Sequence, residues 1–411
     1  MSTPAPNPCP SPRRPIGAWP RWLWALLASL ALGAAAEPYR PASDDDVLTR
    51  LPTRRSDPAA RALAALREAA RAAPRDATLA LAAARAALDQ ARALGDPRYV
   101  GQAQAALAPW WAQKTPPADI QVMRAIIARH GQRFDEALAD LQAVVAREPG
   151  HREAWSELAT LHLLRADTAA ARRACDALSG RAPALAVVGC RAGADALSGH
   201  ADMAAAALRA ALDAGSGTDP QADPVLRLAA WTQLAEIEAQ RGEPAAAEAA
   251  FEAALALGLD DVTLRAAYAD LLLDQGRPGE VLVQLRQGSD ADVLLLRLAL
   301  AAKAASSPLA ARYADELAAR LDAARLRGDS SHRKEEARFE LTVRGRPQVA
   351  LALARAHYAL QRRPADARLL LEAALAARQP AAADPVLRWM AASGVDSPRL
   401  QALAERLRSL R

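Results

Sequence analysis

Aromatic side chains are scarce in this 411-residue chain: they are 4% of it, although 52% of the residues are hydrophobic. The apolar content is therefore mostly Ala and Leu, the strongest apolar helix formers, and long closely packed helices are expected. Runs of β-branched and aromatic residues with period two are missing after residue 50, which argues against any sheet. Lysine occurs only at Lys114, Lys303 and Lys334, and the arginines are interspersed with Asp and Glu. A nucleic-acid partner needs clustered cations, so none is expected. Chemistry-bearing motifs are also lacking. The six histidines (His130, His151, His162, His200, His332 and His357) form no H-E-x-x-H spacing, and there is no G-x-S-x-G or G-x-x-x-x-G-K. No enzyme activity, metal or cofactor is expected; the least implausible enzyme, a helical-solenoid hydrolase, would need a perturbed carboxylate in a closed pocket.

No apolar run is long enough to span a bilayer comfortably. The longest, Trp22 to Gly33, is about a dozen residues against the roughly 20 a transmembrane helix needs. It suits the core of a signal peptide: Arg13, Arg14 and Arg21 precede it, and Ala34-Ala35-Ala36 before Glu37 fits an A-x-A cleavage site between Ala36 and Glu37. Cys9 lies upstream of the apolar core and so is not a lipoprotein cysteine. The formal net charge is +5, three of which belong to the leader, leaving +2 for residues 37–411. The expected location is the periplasm; the alternative is an uncleaved leader acting as a membrane anchor, the one membrane contact foreseen.

What the chain does have is repetition. Ala137, Leu141, Val144 and Pro149 are answered 34 residues later by Ala171, Cys175, Leu178 and Pro183. Gly242, Ala247 and Phe251 are answered by Gly276, Val281 and Leu285, and Leu234-Ala235 by Tyr268-Ala269. Four matches at one step mean repetition, and within each unit the helical period is broken once by a short turn. Each unit is thus a helical hairpin.

The units Trp155-x-x-Leu158-Ala159-x-x-His162 with Ala171, Cys175, Leu178 and Pro183, and Trp231-x-x-Leu234-Ala235-x-x-Glu238 with Gly242, Ala247, Phe251 and Ala254, resemble the tetratricopeptide repeat family. The resemblance implies an all-α fold, a right-handed α-solenoid of helical hairpins. Small residues (Ala159, Ala235, Ala269) let paired helices approach, while Trp155, Trp231, Phe251 and Leu285 fill the space to the next hairpin. The organisation read from this is a signal peptide at 1–36, an extended lead-in at 37–57, an atypical helical cap at 58–117, repeats over 118–395 and a capping helix at 396–411. Gly189 and Gly193 thin one first helix and leave the local curvature open. Residues 215–224, rich in turn formers, are a candidate hinge between two halves. Trp110-Trp111 either packs the cap onto the first regular unit or offers a ligand- or membrane-facing patch.

Cys175 and Cys190 flank the turn at Pro183 and face each other across two antiparallel helices, with Ala174, Ala186 and Gly189 permitting close approach. In an oxidising compartment the expectation is a disulfide, the alternative being two buried thiols. By resemblance, the first helices line a concave groove that binds a protein or peptide partner. The groove candidates are Arg129, Ser156, Thr160, Thr232, Glu236, Asp270, Asp274 and Glu335. Their mixed, partly acidic character suggests a polar or basic peptide. The function expected is a non-catalytic periplasmic scaffold; the alternative is a solenoid recognising an envelope or exported glycan, which exposed groove aromatics would favour.

Overall fold

The computed structural model describes residues 57–214, 223–286, 290–329 and 332–410. The expected leader, its cleavage site at Ala36–Glu37, the lead-in up to residue 56 and most of the 215–224 connection lie outside them. Every regular element among the described residues is helical. An amino-terminal group comprises α1 (Pro58–Ala72), α2 (Ala77–Leu94), α3 (Arg98–Ala106) and the single turn α4 (Ala108–Trp111). Three hairpins follow: α5 (Ala118–His130) with α6 (Phe134–Arg147), α7 (Arg152–Leu164) with α8 (Thr168–Leu178), and α9 (Ala184–Ala196) with α10 (Ala201–Ala214). Next come α11 (Pro224–Arg241) with α12 (Pro244–Leu255), α13 (Val262–Asp274) with α14 (Pro278–Gln284), and α15 (Asp292–Ala304) with α16 (Ala310–Leu326). The last pairs are α17 (Arg333–Thr342) with α18 (Pro347–Leu360), and α19 (Pro364–Ala376) with α20 (Asp384–Ser393) through a 3₁₀ turn at Pro380–Ala383; α21 (Pro398–Arg408) ends the fold.

The repeat is written in the turns. Between the first and second helices of the eight hairpins stand Gln132, Ala166, Gly199, Gly242, Gly276, Ser306, Gly345 and Arg378, all with φ between 51° and 81°. At seven of them the next residue's N–H donates to the carbonyl five residues back, as Asp167 does to His162 and Glu243 to Glu238; at Gly345 the returning bond runs from Arg346 to Glu340. This is the Schellman closure, in which one left-handed residue satisfies carbonyls that the helix end would orphan. Asp167, Asp223, Asp261 and Ser397 cap helix starts with their side chains.

Packing follows the small-and-large pattern. Ala159, Ala235 and Ala269 are buried between paired helices, and Phe251 stacks tilted on Tyr268 of the next hairpin with ring centroids 5.5 Å apart. The buried apolar residues form successive clusters along the chain, as expected where each hairpin packs mainly on its neighbours. Trp110 is buried, with Trp111 half-buried beside it, in the cluster shared by the amino-terminal group and the first hairpins.

Close approach across α9 depends on its glycines. A Cβ on Gly193 would stand 3.0 Å from Leu163 Cδ1 of α7 and 3.1 Å from Gln233 Nε2 of α11, and Gln233 Nε2 donates to the Gly189 carbonyl at 2.8 Å. The thin helix lets its two neighbours close over it. Distant hairpins also meet. The Arg362 N–H donates to the Leu164 carbonyl at 2.8 Å, Gln240 Nε2 donates to the Asp396 carbonyl at 3.0 Å, and Leu360 packs on the amino-terminal cluster. At the other edge Arg92 pairs with Asp261 at 3.2 Å, and Gly95 abuts Ala291 and Val262.

Candidate functional site

The first helices of four successive hairpins meet around one cavity of about 420 Å³, lined by Leu273 of α13, Leu300 of α15, Arg338, Leu341 and Thr342 of α17, and Arg368, Glu372 and Ala376 of α19. Only first helices contribute to its lining. Most of its wall is the carboxyl-terminal turns of those helices, where Leu and Ala side chains are left half-covered. None of the lining residues is aromatic.

Behind the wall is a layer of ion pairs. Asp270 of α13 accepts from Arg297 Nε and Nη2 at 3.0 and 2.7 Å, and from Arg338 Nη1 at 2.6 Å. Burial pushes the Asp270 carboxyl up, but Arg297 and Arg338 together outweigh it and hold it well below the ordinary carboxylate range. Asp274 accepts from both terminal nitrogens of Arg368, at 2.6 and 2.8 Å, and pairs with Arg399 of α21. Arg368 Nε donates to Glu372 at 2.7 Å. Lys303 stands by Thr342, donating its ammonium to the carbonyls of Thr342 and Val343 at 2.6 and 2.9 Å.

A second polar cluster adjoins. Asp366 is buried and faces Lys334 Nζ at 3.0 Å and His357 Nε2 at 3.1 Å. Burial pushes its carboxyl up, and Lys334, His357 and Arg363 overcome that to leave it strongly depressed. Arg363 is lowered by burial but held up by the carboxylates of Glu236, Asp366 and Glu335. Of the groove candidates, Asp270 and Asp274 belong to the first cluster and Glu236 and Glu335 act on Arg363 in the second, and none of the four lines the chamber.

The other candidates lie elsewhere. Arg129 Nε pairs with Glu157 at 3.0 Å, while the hydroxyls of Thr160 and Thr232 donate to the carbonyls of Ser156 and Leu228 in their own helices. Ser156 is exposed. Leu273, Leu300, Arg338, Leu341 and Arg368 were not singled out from sequence. Leu300, Arg338, Leu341 and Arg368 fall in repeats whose spacing drifts from 34 residues, so the register that would have aligned them was not legible; Leu273, in a hairpin that keeps the 34-residue step, was passed over as an apolar residue beside Asp274.

Cys175 and Cys190 have their Sγ atoms 1.99 Å apart and their Cα atoms 5.6 Å apart, joining α8 to α9. No group of three or more His, Cys, Asp or Glu residues is arranged to hold a metal among the described residues. None of the described helices is long and apolar enough to cross a membrane.

A family model described as tetratricopeptide repeat matches residues 129–187, from the end of α5 to the start of α9. No curated protein matches the chain. Among solved structures, the chain is similar to the APC/C hetero-tetramer Cut9-Hcn1, at 14% identity and a TM-score of 0.47 over 81% of this chain and 63% of that one. It thus spans less than two thirds of that structure's chain. It is also similar to a tetratricopeptide repeat protein from Parabacteroides merdae, at 12% identity and a TM-score of 0.36 over 76% of this chain and 99% of that one. A Rap protein complexed with competence and sporulation factor gives 15% identity and a TM-score of 0.43 over 86% and 95%. With eight helical hairpins each closed by a left-handed turn among the described residues, and a tetratricopeptide repeat match over residues 129–187, the chain is an all-α protein of repeated helical hairpins similar to tetratricopeptide repeats.

Proposed function

We propose that this protein is a non-catalytic scaffold of the bacterial periplasm that holds an extended segment of a partner protein on the inner face of its coil. The carrying observation is the chamber, an open depression of about 420 Å³ bordered by side chains from four successive first helices. Cavities of some 300 to 1,000 Å³ with an apolar wall and a few fixed polar groups are the usual form of a binding site. None of the residues lining it is aromatic, so this depression offers a sugar ring no aromatic face to lie against. Location rests on the leader-like segment before Glu37 and on the Cys175–Cys190 pairing, which suits an oxidising compartment.

Two measurements test the reading. The full chain is expressed in a Gram-negative host and the exported form is sequenced from its amino terminus; a start at Glu37 is expected, and retention in the cytoplasm sinks the location. The exported protein is then cross-linked in cell-envelope extract, and captured proteins are compared between wild type and a Leu300→Asp variant. A partner captured at stoichiometric yield by wild type and lost by the variant supports the groove; capture indifferent to Leu300 counts against it.

A further inference from the structure

The sign of the chamber's charge identifies what it takes. Asp270 and Asp274 look in the sequence like acidic hooks for a cationic ligand, but their oxygens are occupied by arginine. Arg297 spans both oxygens of Asp270, and Arg368 both oxygens of Asp274. Glu372, the carboxylate that does line the chamber, rests on Arg368 Nε, so Arg368 has all three nitrogens engaged.

Arg338 is different. It spends Nη1 on Asp270 at 2.6 Å, while its Nε and Nη2 have no hydrogen-bond partner among the described residues. Its carboxylate partner is already shared with Arg297, which also feels the Glu335 carboxylate, so Arg338 has no carboxylate to itself. Lys303 adds a positive charge at the Thr342 side: its ammonium meets two carbonyls and no carboxylate among the described residues. Beside this unspent guanidinium edge lie Leu273, Leu300 and Leu341. A planar guanidinium with free donors recognises a carboxylate through parallel N–H bonds, and the leucines beside it offer an apolar surface to a neighbouring aliphatic group.

We infer that the chamber takes an extended partner segment in which an aliphatic side chain lies beside an Asp or Glu side chain, the aliphatic group on the three leucines and the carboxylate on Arg338. This rests on the groove reading proposed above. Asp270 is then a positioning residue that holds Arg338 by one nitrogen and leaves its other edge free. It does not touch the ligand.

The test is to pan a phage library of random 12-residue peptides against the full-length exported protein, and in parallel against Leu300→Asp, Arg338→Gln and Arg338→Glu variants shown by circular dichroism to be folded. Peptides lost on Leu300→Asp are taken as chamber ligands and synthesised with amidated ends, so that only side-chain carboxylates remain. Asp or Glu next to Leu, Ile, Val or Met is expected to be enriched. Changing that acid to its amide should weaken binding at least tenfold in wild type and little in Arg338→Gln, and Arg338→Glu should shift enrichment to Lys or Arg. Asp270→Asn should weaken the acidic peptide several-fold and leave its amide form unchanged, a selectivity that loss of fold would not give. Chamber ligands that are neutral or basic and indifferent to Arg338→Gln overturn the inference and leave the groove standing. If no peptide depends on Leu300, the groove reading itself falls, and the inference with it.

Discussion

Gly199 and Gly394 meet where the turn of the third hairpin touches the turn after α20: a Cβ on Gly199 would lie 2.7 Å from the Gly394 carbonyl oxygen, nearer than such atoms come. Gly199 also has φ +78°, whereas Gly276, at φ +71° in the equivalent turn of the fifth hairpin, has open space around it. Both positions penalise alanine through the left-handed backbone, by about 1–2 kcal/mol. Only Gly199→Ala also forces two distant parts of the coil apart. Urea denaturation should therefore show Gly199→Ala costing about 1–3 kcal/mol more than Gly276→Ala, and equal losses would mean that the contact is not present in solution.

Ala166 occupies the same turn position as those glycines with φ 57° and no glycine to relieve it. Ala166→Gly removes about 1–2 kcal/mol of left-handed penalty and costs about 0.5–1 kcal/mol of unfolded-chain entropy. A small net gain, visible as a higher urea midpoint with unchanged slope, is the expected outcome; a loss would count against the turn geometry.

The pairing of Arg297 with Asp270 makes stability fall in acid. The Asp270 carboxyl is depressed in the folded protein, so the stability it contributes is fully present above the unfolded value of about 4 and is lost as pH drops toward the folded value. Asp270→Asn leaves Arg297, 5% exposed, without its carboxylate and should cost about 3 kcal/mol at pH 7. Below pH 4 the wild type should approach the variant. Parallel stability curves from pH 7 to pH 2 would show that Asp270 is not the group responsible.

Cys175 and Cys190 are 15 residues apart, and a bond between them restricts the unfolded chain. A closed loop of that size is worth about 3 kcal/mol in the loop-entropy account. Exported protein should show no free thiol to a thiol reagent under denaturing conditions, and reductant should lower its denaturation midpoint. Two reactive thiols per chain, with a midpoint indifferent to reductant, would establish the thiol alternative.

Gly193 sits under Leu163 and Gln233, and its lack of a side chain sets how closely α7 and α11 approach over α9. Gly193→Leu is expected to wedge them apart, raising the radius of gyration measured by small-angle scattering and costing about 1–3 kcal/mol. An unchanged radius would place the origin of the curvature elsewhere.

The helical hairpin was legible because it is local. Ala159, Ala235 and Ala269 at close approaches, with Phe251 and Leu285 as fillers, carry a 34-residue step that needs no knowledge of distant contacts. The groove was legible only in outline. Asp270 and Asp274 are on a first helix as the pattern implies, but nothing within their hairpin shows that Arg297, Arg338, Arg368 and Arg399 would meet them. Those pairs span from 27 residues, between Arg297 and Asp270, to 94, between Arg368 and Asp274, and beyond that to Arg399.

Sequence by itself therefore determined the kind of protein: hairpins repeated along one axis, because helix period, turn residues and small-to-large alternation act over a few turns of chain. Tertiary structure alone decided how far the coil bends, which hairpins touch across it, and whether the inner face offers acid or arginine. The reason is cumulative geometry. A small rotation at each hairpin accumulates and sets which charges come within reach several repeats later, and a carboxylate already held by arginine presents a different surface from a free one.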